Sequence, residues 1–298
     1  MSEPSPEGPP SRAGIVALAG APNVGKSTLL NRILGRPLSI ATSKPQTTRT
    51  RVLAVHTTGT TQIVFTDTPG IHHARGLMHE RMVGTARASV RGADLTCWIV
   101  SAERGLTATD RAEMPAFAGR SVPVVINKID LTAYERILPI IAAGAAILPD
   151  AEFFPLSALR GENVDRFVAH LASRMPEGPW LYPADTLSDQ PTRFFAAELI
   201  REQLFRQLDA ELPYRVAVRI EEFRERKPKA YIEATVFTDS DSAKKIIVGR
   251  EGQRIKSIGT AARSAIEALL GSPVYLELYV RVRKDWQSDP RFLDELGL

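Results

Sequence analysis

The chain has 298 residues, 44% of them hydrophobic and 24% charged, enough for two domains with separate cores. Lys and Arg exceed Asp and Glu by +4, a balance that permits an anionic partner without requiring one. A single cysteine, Cys97, excludes a disulfide framework or zinc ribbon and fits a reducing cytosol, and no apolar run nears the roughly 18 residues of a membrane span.

Residues 1–12, rich in Pro, Ser and Glu, read as a disordered tail rather than a signal peptide. Ile15-Val16-Ala17-Leu18-Ala19 is short, uncharged and wholly apolar, as expected of a strand buried on both faces in a parallel sheet. Directly after it stands Gly20-Ala21-Pro22-Asn23-Val24-Gly25-Lys26-Ser27-Thr28, a phosphate loop between strand and helix. Its glycines let backbone N–H groups converge on phosphate oxygens, and the helix N-terminus adds partial positive charge. Lys26 is positioned to reach β and γ phosphates, and the Ser27 hydroxyl to ligate Mg²⁺.

Further apolar runs at 63–65, 95–100 and 122–126, with helical patterns between them, predict a doubly wound α/β domain with a mostly parallel sheet. Asp67-Thr68-Pro69-Gly70 follows the second run. A carboxylate there can hold Mg²⁺ through water, and the Gly70 N–H can sense a γ-phosphate. Asn127-Lys128-Ile129-Asp130 follows the fourth run. A carboxylate such as Asp130 accepts two parallel N–H bonds, the pair that guanine offers and adenine lacks. Asn127 is suited to tie neighbouring loops together, and Ser157-Ala158, after the apolar stretch 153–156, offers a backbone N–H to guanine O6.

These four features, each after a predicted strand and in this order, resemble the translation-factor-related P-loop GTPases over about residues 13–175. The resemblance implies GTP and GDP as ligands and Mg²⁺ as cofactor, with Lys128 counted in the base-binding set. It also implies a threonine in the stretch 43–49 that completes the Mg²⁺ shell; Thr48, directly before Arg49, is preferred, with Thr47 the alternative. In Ras-like enzymes a Gln after DxxG orients the attacking water; here Ile71 stands in its place and has no hydrogen-bonding group. Asn23 corresponds to a position associated in related GTPases with a K⁺ ion. Lys26, Thr48, Gly70 and Asn23 form the expected catalytic set, while His72 and His73 read as exposed loop histidines rather than bases.

After an amphipathic helix at 164–175, residues 178–191 are proline-rich and aperiodic, and read as a linker between a GTPase domain at 13–177 and a second domain at 192–298. Trp180 and Tyr182 suggest that this linker packs on a surface. The second domain opens with a helix from about 192 to 210 carrying Phe194, Leu199 and Leu204 on one side. Strands follow at 215–222, where Val216, Val218 and Ile220 alternate with polar or small residues, and at 230–238. Two helices separated by Gly249-Arg250-Glu251-Gly252 and a strand at 274–282 complete an α-β-β-α-α-β order. Residues 244–263 carry Lys244, Lys245, Arg250, Arg254, Lys256 and Arg263 against Glu251 alone, a surplus of +5, whereas the whole of 191–298 has only +2. The rest of this domain is therefore slightly acidic.

The order and the GxxG resemble a type II KH domain, an α+β fold whose GxxG loop clamps about four single-stranded nucleotides beside an apolar groove. Lys244, Lys245, Ile247, Gly249, Arg250, Glu251, Gly252, Arg254 and Lys256 are the RNA-binding set this implies. Taken together, the halves resemble the Era family of bacterial ribosome-assembly GTPases over almost the full length, including 276–286. That resemblance implies 16S rRNA near its 3′ end, single-stranded rather than DNA, and the 30S subunit as partners. It also implies a cytoplasmic location with peripheral membrane association known among relatives. The alternatives are a tRNA-modifying GTPase, which needs a C-terminal catalytic cysteine that is absent here, and an RNA-binding module with a decayed nucleotide site, which the intact Lys26, Ser27 and Asp67 oppose.

Overall fold

The computed structural model describes residues 11–42, 44, 46–71, 76–225 and 228–298. They divide into two compact units. The first comprises the chain up to Ser39, the segment from Thr48, and Val83–Asp189; the second comprises Ile40–Thr47, the segment ending at Met82, and Gln190–Leu298.

In the first unit six strands lie in the order β2-β3-β1-β4-β5-β6. They are β1 (Arg12–Ala19), β2 (Val52–Thr58), β3 (Thr61–Asp67), β4 (Leu95–Ser101), β5 (Pro123–Asn127) and β6 (Glu152–Pro155). All neighbours are parallel except the β2–β3 pair. The helices are α1 (Lys26–Leu34), α2 (Leu77–Arg91), α3 (Ala108–Glu113), α4 (Ile137–Ala145) and α5 (Val164–Arg174). The four central strands are buried because both faces are covered, which is why they read as continuous apolar runs. Arg12, assigned to the tail from sequence, is instead the first residue of β1; residues 1–10 lie outside the described residues.

Both edges of this sheet are covered or blunted. On the β2 side the proline-rich stretch lies flat: the Val55 N–H donates to Leu187 O at 2.9 Å, and the Ser188 hydroxyl donates to Leu53 O. Gln62, fully buried, holds the stretch in place. Its Oε1 accepts from the N–H of Leu181 and of Tyr182, each at 2.9 Å, and its Nε2 donates to Tyr182 O at 2.8 Å. Trp180 Nε1 donates to Thr60 O at 3.1 Å, and Tyr182 packs against Leu53, Val55 and Val64. The compact unit therefore runs on to Asp189. At the other edge, β6 ends in Pro155, which has no N–H, and Asn163 Nδ2 donates to Pro155 O at 2.9 Å.

The second unit has a three-stranded sheet in the order β7-β8-β9, with β7 (Val216–Arg224), β8 (Ala230–Thr238) and β9 (Val274–Val282). β7 pairs antiparallel and β9 parallel to β8. Helices α6 (Thr192–Gln207), α7 (Asp241–Val248) and α8 (Gln253–Leu270) share a core with one sheet face through Ala196, Ile200, Leu204, Ile247, Ile258 and Ala262. Phe194, expected on the core side of α6, is not in that cluster; the core row runs through Ala196, Ile200 and Leu204, with Leu199 partly buried beside it. At one end of the opposite sheet face, Ala217 and Phe237 pack under Trp286 and a short helix, α9 (Pro290–Glu295), through Phe292 and Leu293. No helix among the described residues is long and apolar enough to cross a membrane.

Candidate functional site

The carboxyl ends of β1, β3 and β5 converge at one edge of the six-stranded sheet, where open α/β sheets place their ligands. The loop after β1 starts α1 at Lys26, whose side chain is only 6% exposed. Its Nζ donates to Gly20 O at 3.1 Å and Ala21 O at 3.0 Å. Burial pushes the Lys26 pKa down to about 8, against the opposing charge of Asp67. Pro22, Asn23 and Thr28 are half-buried along the same loop, with Asn23 in the left-handed region at φ 61°. Gly70 seats against this loop: a Cβ there would lie 2.8 Å from Pro22 Cα.

Three oxygen-bearing side chains meet beside Lys26. The Ser27 hydroxyl donates to Asp67 Oδ2 at 2.7 Å, and Thr48 Oγ1 lies 2.9 Å from Ser27 Oγ and 3.4 Å from Asp67 Oδ2. Thr48, not Thr47, makes these contacts. Burial pushes the Asp67 carboxyl pKa up, opposed by the Ser27 hydrogen bond and the Lys26 charge. Asp67 Oδ1 is buried and has no hydrogen-bond partner. An orphaned carboxylate oxygen beside two hydroxyls is a donor set that a hard divalent cation satisfies, so these residues fit Mg²⁺.

The β5 end supplies the base-recognition loop. Asn127, buried, donates from Nδ2 to Val24 O at 2.9 Å and accepts at Oδ1 from the N–H of Lys128 at 2.8 Å and of Ala158 at 2.9 Å. It thus ties the phosphate loop, its own loop and the β6–α5 loop together. Lys128 adopts the left-handed conformation at φ 67°, and burial lowers its pKa. The Ser157 hydroxyl donates to Asp130 Oδ1 at 2.6 Å. The backbone donors expected to meet guanine O6 are already engaged: Ser157 N–H with Glu162 O at 3.1 Å, and Ala158 N–H with Asn127 Oδ1. These bonds brace Asp130 and Asn127 from the β6–α5 loop, beside the position where a base would lie. Ile71 is 4% exposed, packed in the core with Ala19, Trp98 and Val100, and carries no group toward a water. His72 and His73 lie outside the described residues.

In the second unit, Gly249 ends α7 at φ 73°, ψ 177°, a region essentially confined to glycine. A Cβ there would also meet Arg254 Cβ at 2.7 Å. Arg250 and Glu251 are exposed at the turn tip, with Glu251 left-handed at φ 50°, and Gly252 begins α8. Lys245 and Lys256 are exposed and Lys244 half-buried; Arg254 Nη1 donates to Ile246 O at 3.2 Å. Ile247, included in the RNA set from sequence, is fully buried in the core. Helical spacing explains this: Ala243 and Ile247 share the inward face, while Ile246 is 45% exposed. The apolar groove that the KH resemblance implies is a cavity of about 360 Å³ between α8 and β9, lined by Ile255, Gly259, Tyr275, Leu276 and Leu278, with Lys256 and Arg263 at its side; sequence reasoning did not name these lining residues. The Leu276, Leu278, Val280 alternation was its available signal.

A phosphate loop, a Ser–Thr–Asp cluster and an Asn–Lys–x–Asp loop at the strand ends of a doubly wound sheet define a P-loop GTPase, and GxxG between helices packed on a β-β-β sheet defines a KH domain joined to it. The matching family models agree: a "50S ribosome-binding GTPase" over residues 15–128 and a "KH domain" over 211–287. GTPase Era of Geobacter metallireducens is 46% identical over 292 residues, 97% of this chain and 98% of that protein, and GTPase Era of Afipia carboxidovorans is 42% identical over 99% of this chain and 97% of its own length. A point variant of Aquifex aeolicus Era bound to GDP·AlF₄⁻ superimposes with a TM-score of 0.92 at 38% identity, covering 96% of this chain and 99% of that one. Era in complex with MgGDPNP and nucleotides 1506–1542 of 16S ribosomal RNA superimposes with a TM-score of 0.93 at 38% identity and the same coverage. The chain belongs to the Era family of GTPases, and it is an enzyme that hydrolyses GTP.

Proposed function

We propose that this GTPase binds the single-stranded 3′ region of 16S rRNA through its KH domain and serves in maturation of the 30S subunit as a nucleotide-controlled switch. The GTPase domain would run from Arg12 to Asp189, taking in the stretch that composition reads as a linker, and the RNA-binding domain would follow from Gln190. The observation that carries the reading is the exposed GxxG turn, set beside an apolar groove flanked by Lys256 and Arg263, in the same chain as an intact nucleotide site. Phosphate contacts from Lys244, Lys245, Arg250 and Lys256 would position the RNA backbone while the groove takes bases. The solved relative that holds 16S rRNA nucleotides supports this assignment. Replacing Arg250 and Glu251 together by Asp exchanges a phosphate-binding cation for a repelling anion. RNA affinity is expected to fall about tenfold or more, measured by oligonucleotide anisotropy at fixed salt, with GTP turnover unchanged. Equal RNA affinity in the double variant would remove the clamp.

At the nucleotide site Ser27 and Thr48 would hold Mg²⁺ directly, and Asp67 through water; the ion supplies charge neutralisation at the β and γ phosphates. Lys26 would bind the same phosphates, and Gly70, seated against Pro22 of the phosphate loop, would couple the γ-phosphate to the segment that follows. With Ile71 turned into the core, no side chain at that position orients the attacking water, and we propose that a K⁺ near Asn23, as at the corresponding position of related GTPases, would supply transition-state charge. GTP turnover is therefore expected to be about tenfold higher in KCl than in NaCl at matched ionic strength, and Asn23→Ala to abolish the difference. Equal rates in the two salts would contradict the assignment. The location follows as cytoplasmic. Cys97 is buried and desolvation pushes its thiol pKa far up, so it takes no part.

A further inference from the structure

The sheet of the second unit has two faces, and of the exposed part of the one turned away from α6, α7 and α8 only Tyr275 also lines the α8–β9 groove proposed to take RNA bases. Strand register lays it out in rows. Arg224, Tyr231 and Tyr275 lie side by side across β7, β8 and β9; the next row is Glu222, Glu233 and Glu277; the next is Arg219, Thr235 and Tyr279. Beyond that, Ala217 and Phe237 are covered by Trp286 and α9, while Arg281 at the β9 end of the same row is exposed. The rows above stay open, with Tyr275 47% and Tyr279 44% exposed.

The middle row opposes the fold. Directly opposed side chains on neighbouring strands have Cβ atoms about 5 Å apart, and like charges so placed destabilise a sheet. Arg224 neutralises Glu222, but Glu233 and Glu277 have no ion pair among the described residues. Their partners are three tyrosine hydroxyls: Tyr231 shares its one proton between Glu277 at 3.1 Å and Glu233 at 3.3 Å, Tyr275 donates to Glu277 at 3.0 Å and Tyr279 to Glu277 at 3.2 Å. These bonds fix the carboxylates without cancelling their charge. The Tyr231 pKa is pushed up to about 12 by desolvation and by its bond to Glu277, so the hydroxyl remains a donor throughout the neutral range. In the next row Thr235, fully buried, has its hydroxyl without a partner. The rings already take cations from this chain: Lys229 Nζ lies 5.1 Å from the centre of Tyr275, and the Arg224 guanidinium 5.9 Å from that of Tyr231.

We propose that this tyrosine–glutamate face is a docking surface for a basic, arginine-bearing protein segment. A guanidinium bridging Glu233 and Glu277 relieves their mutual repulsion and stacks on an exposed tyrosine ring. Rows on one face are two residues apart, about 7 Å, the repeat at which an extended segment presents alternate side chains. Nucleic acid is the wrong occupant despite the rings, because its phosphates would lie against two uncompensated carboxylates.

The test uses the full chain, its Glu233→Gln/Glu277→Gln double variant and Tyr279→Ala. Binding of a fluorescent hexa-arginine peptide is measured by anisotropy at two salt concentrations, beside a single-stranded RNA oligonucleotide. The peptide is expected to bind the double variant about tenfold more weakly, with a smaller loss in Tyr279→Ala. RNA affinity should be unchanged, and the thermal midpoint of the double variant equal or higher because the carboxylate repulsion is gone. Equal peptide affinity in wild type and double variant overturns the proposal. So does a loss of RNA binding with peptide binding intact, which would give the face to nucleic acid.

Discussion

Replacing Lys26 by Ala is expected to lower GTP turnover by about 10³-fold or more, with GTP affinity falling alongside it. The lysine is buried at the start of α1, and two carbonyls of the phosphate loop hold its ammonium. It is thereby fixed where phosphate charge develops in the transition state. Burial without a phosphate partner holds its pKa near 8, and a bound triphosphate must raise it. Between these two values binding takes up a proton, so GTP affinity should weaken as pH rises above about 8, by at most tenfold per unit. For folding the sign is opposite: a lysine depressed from 10.5 to about 8 favours the folded state more as pH rises through that window, and costs stability below it. Calorimetric titrations with GTP at pH 7 and 9, in buffers of different ionisation enthalpy, would measure the uptake directly. Unchanged turnover in Lys26→Ala, or equal proton uptake in the variant and wild type at pH 9, would remove the assigned role.

Asp130→Asn is expected to reverse base preference. The Ser157 hydroxyl holds one carboxylate oxygen at 2.6 Å and so orients the group toward two neighbouring donors on a base edge. An Asn amide presents one acceptor and one donor, which meets guanine's paired N–H groups with a clash but matches a xanthine edge, where an acceptor oxygen replaces the amino group. Leaving a buried donor unmet costs roughly 1–3 kcal/mol and losing a charge-assisted bond a similar amount, so GTP affinity should fall by about 10²–10³ while xanthosine triphosphate gains. Competition between the two nucleotides for a fluorescent analogue would measure this; a variant that keeps its guanosine preference would contradict the base-edge geometry.

The parts legible in the sequence were those whose chemistry is local. The phosphate loop and the Asn127–Asp130 loop need particular residues at consecutive positions, and the continuous apolar runs that precede them mark buried parallel strands. Pairing partners were less accessible. β2 was missed because an antiparallel edge strand, with the polar His56, Thr57 and Thr58 at its end, carries a weaker signal than a central one. The direction of single side chains was harder still. In Ile246-Ile247-Val248 three apolar residues share one helical turn, and only the phase set by Ala243 shows that Ile247 faces the core.

The stretch fixed to Gln62 also bears on how the first domain can be isolated. By composition the domain stops at residue 177, and a chain cut there would keep every nucleotide-binding residue. It would nonetheless lose the backbone acceptor of Leu187 and the cover of Tyr182, leaving the amide of Val55 and the apolar side chains of Leu53 and Val55 open. Such a fragment should bind GTP and yet self-associate through β2, whereas a fragment ending at Asp189 should stay monomeric. What reads as a tether between two domains is, for the first of them, its last strand-like layer.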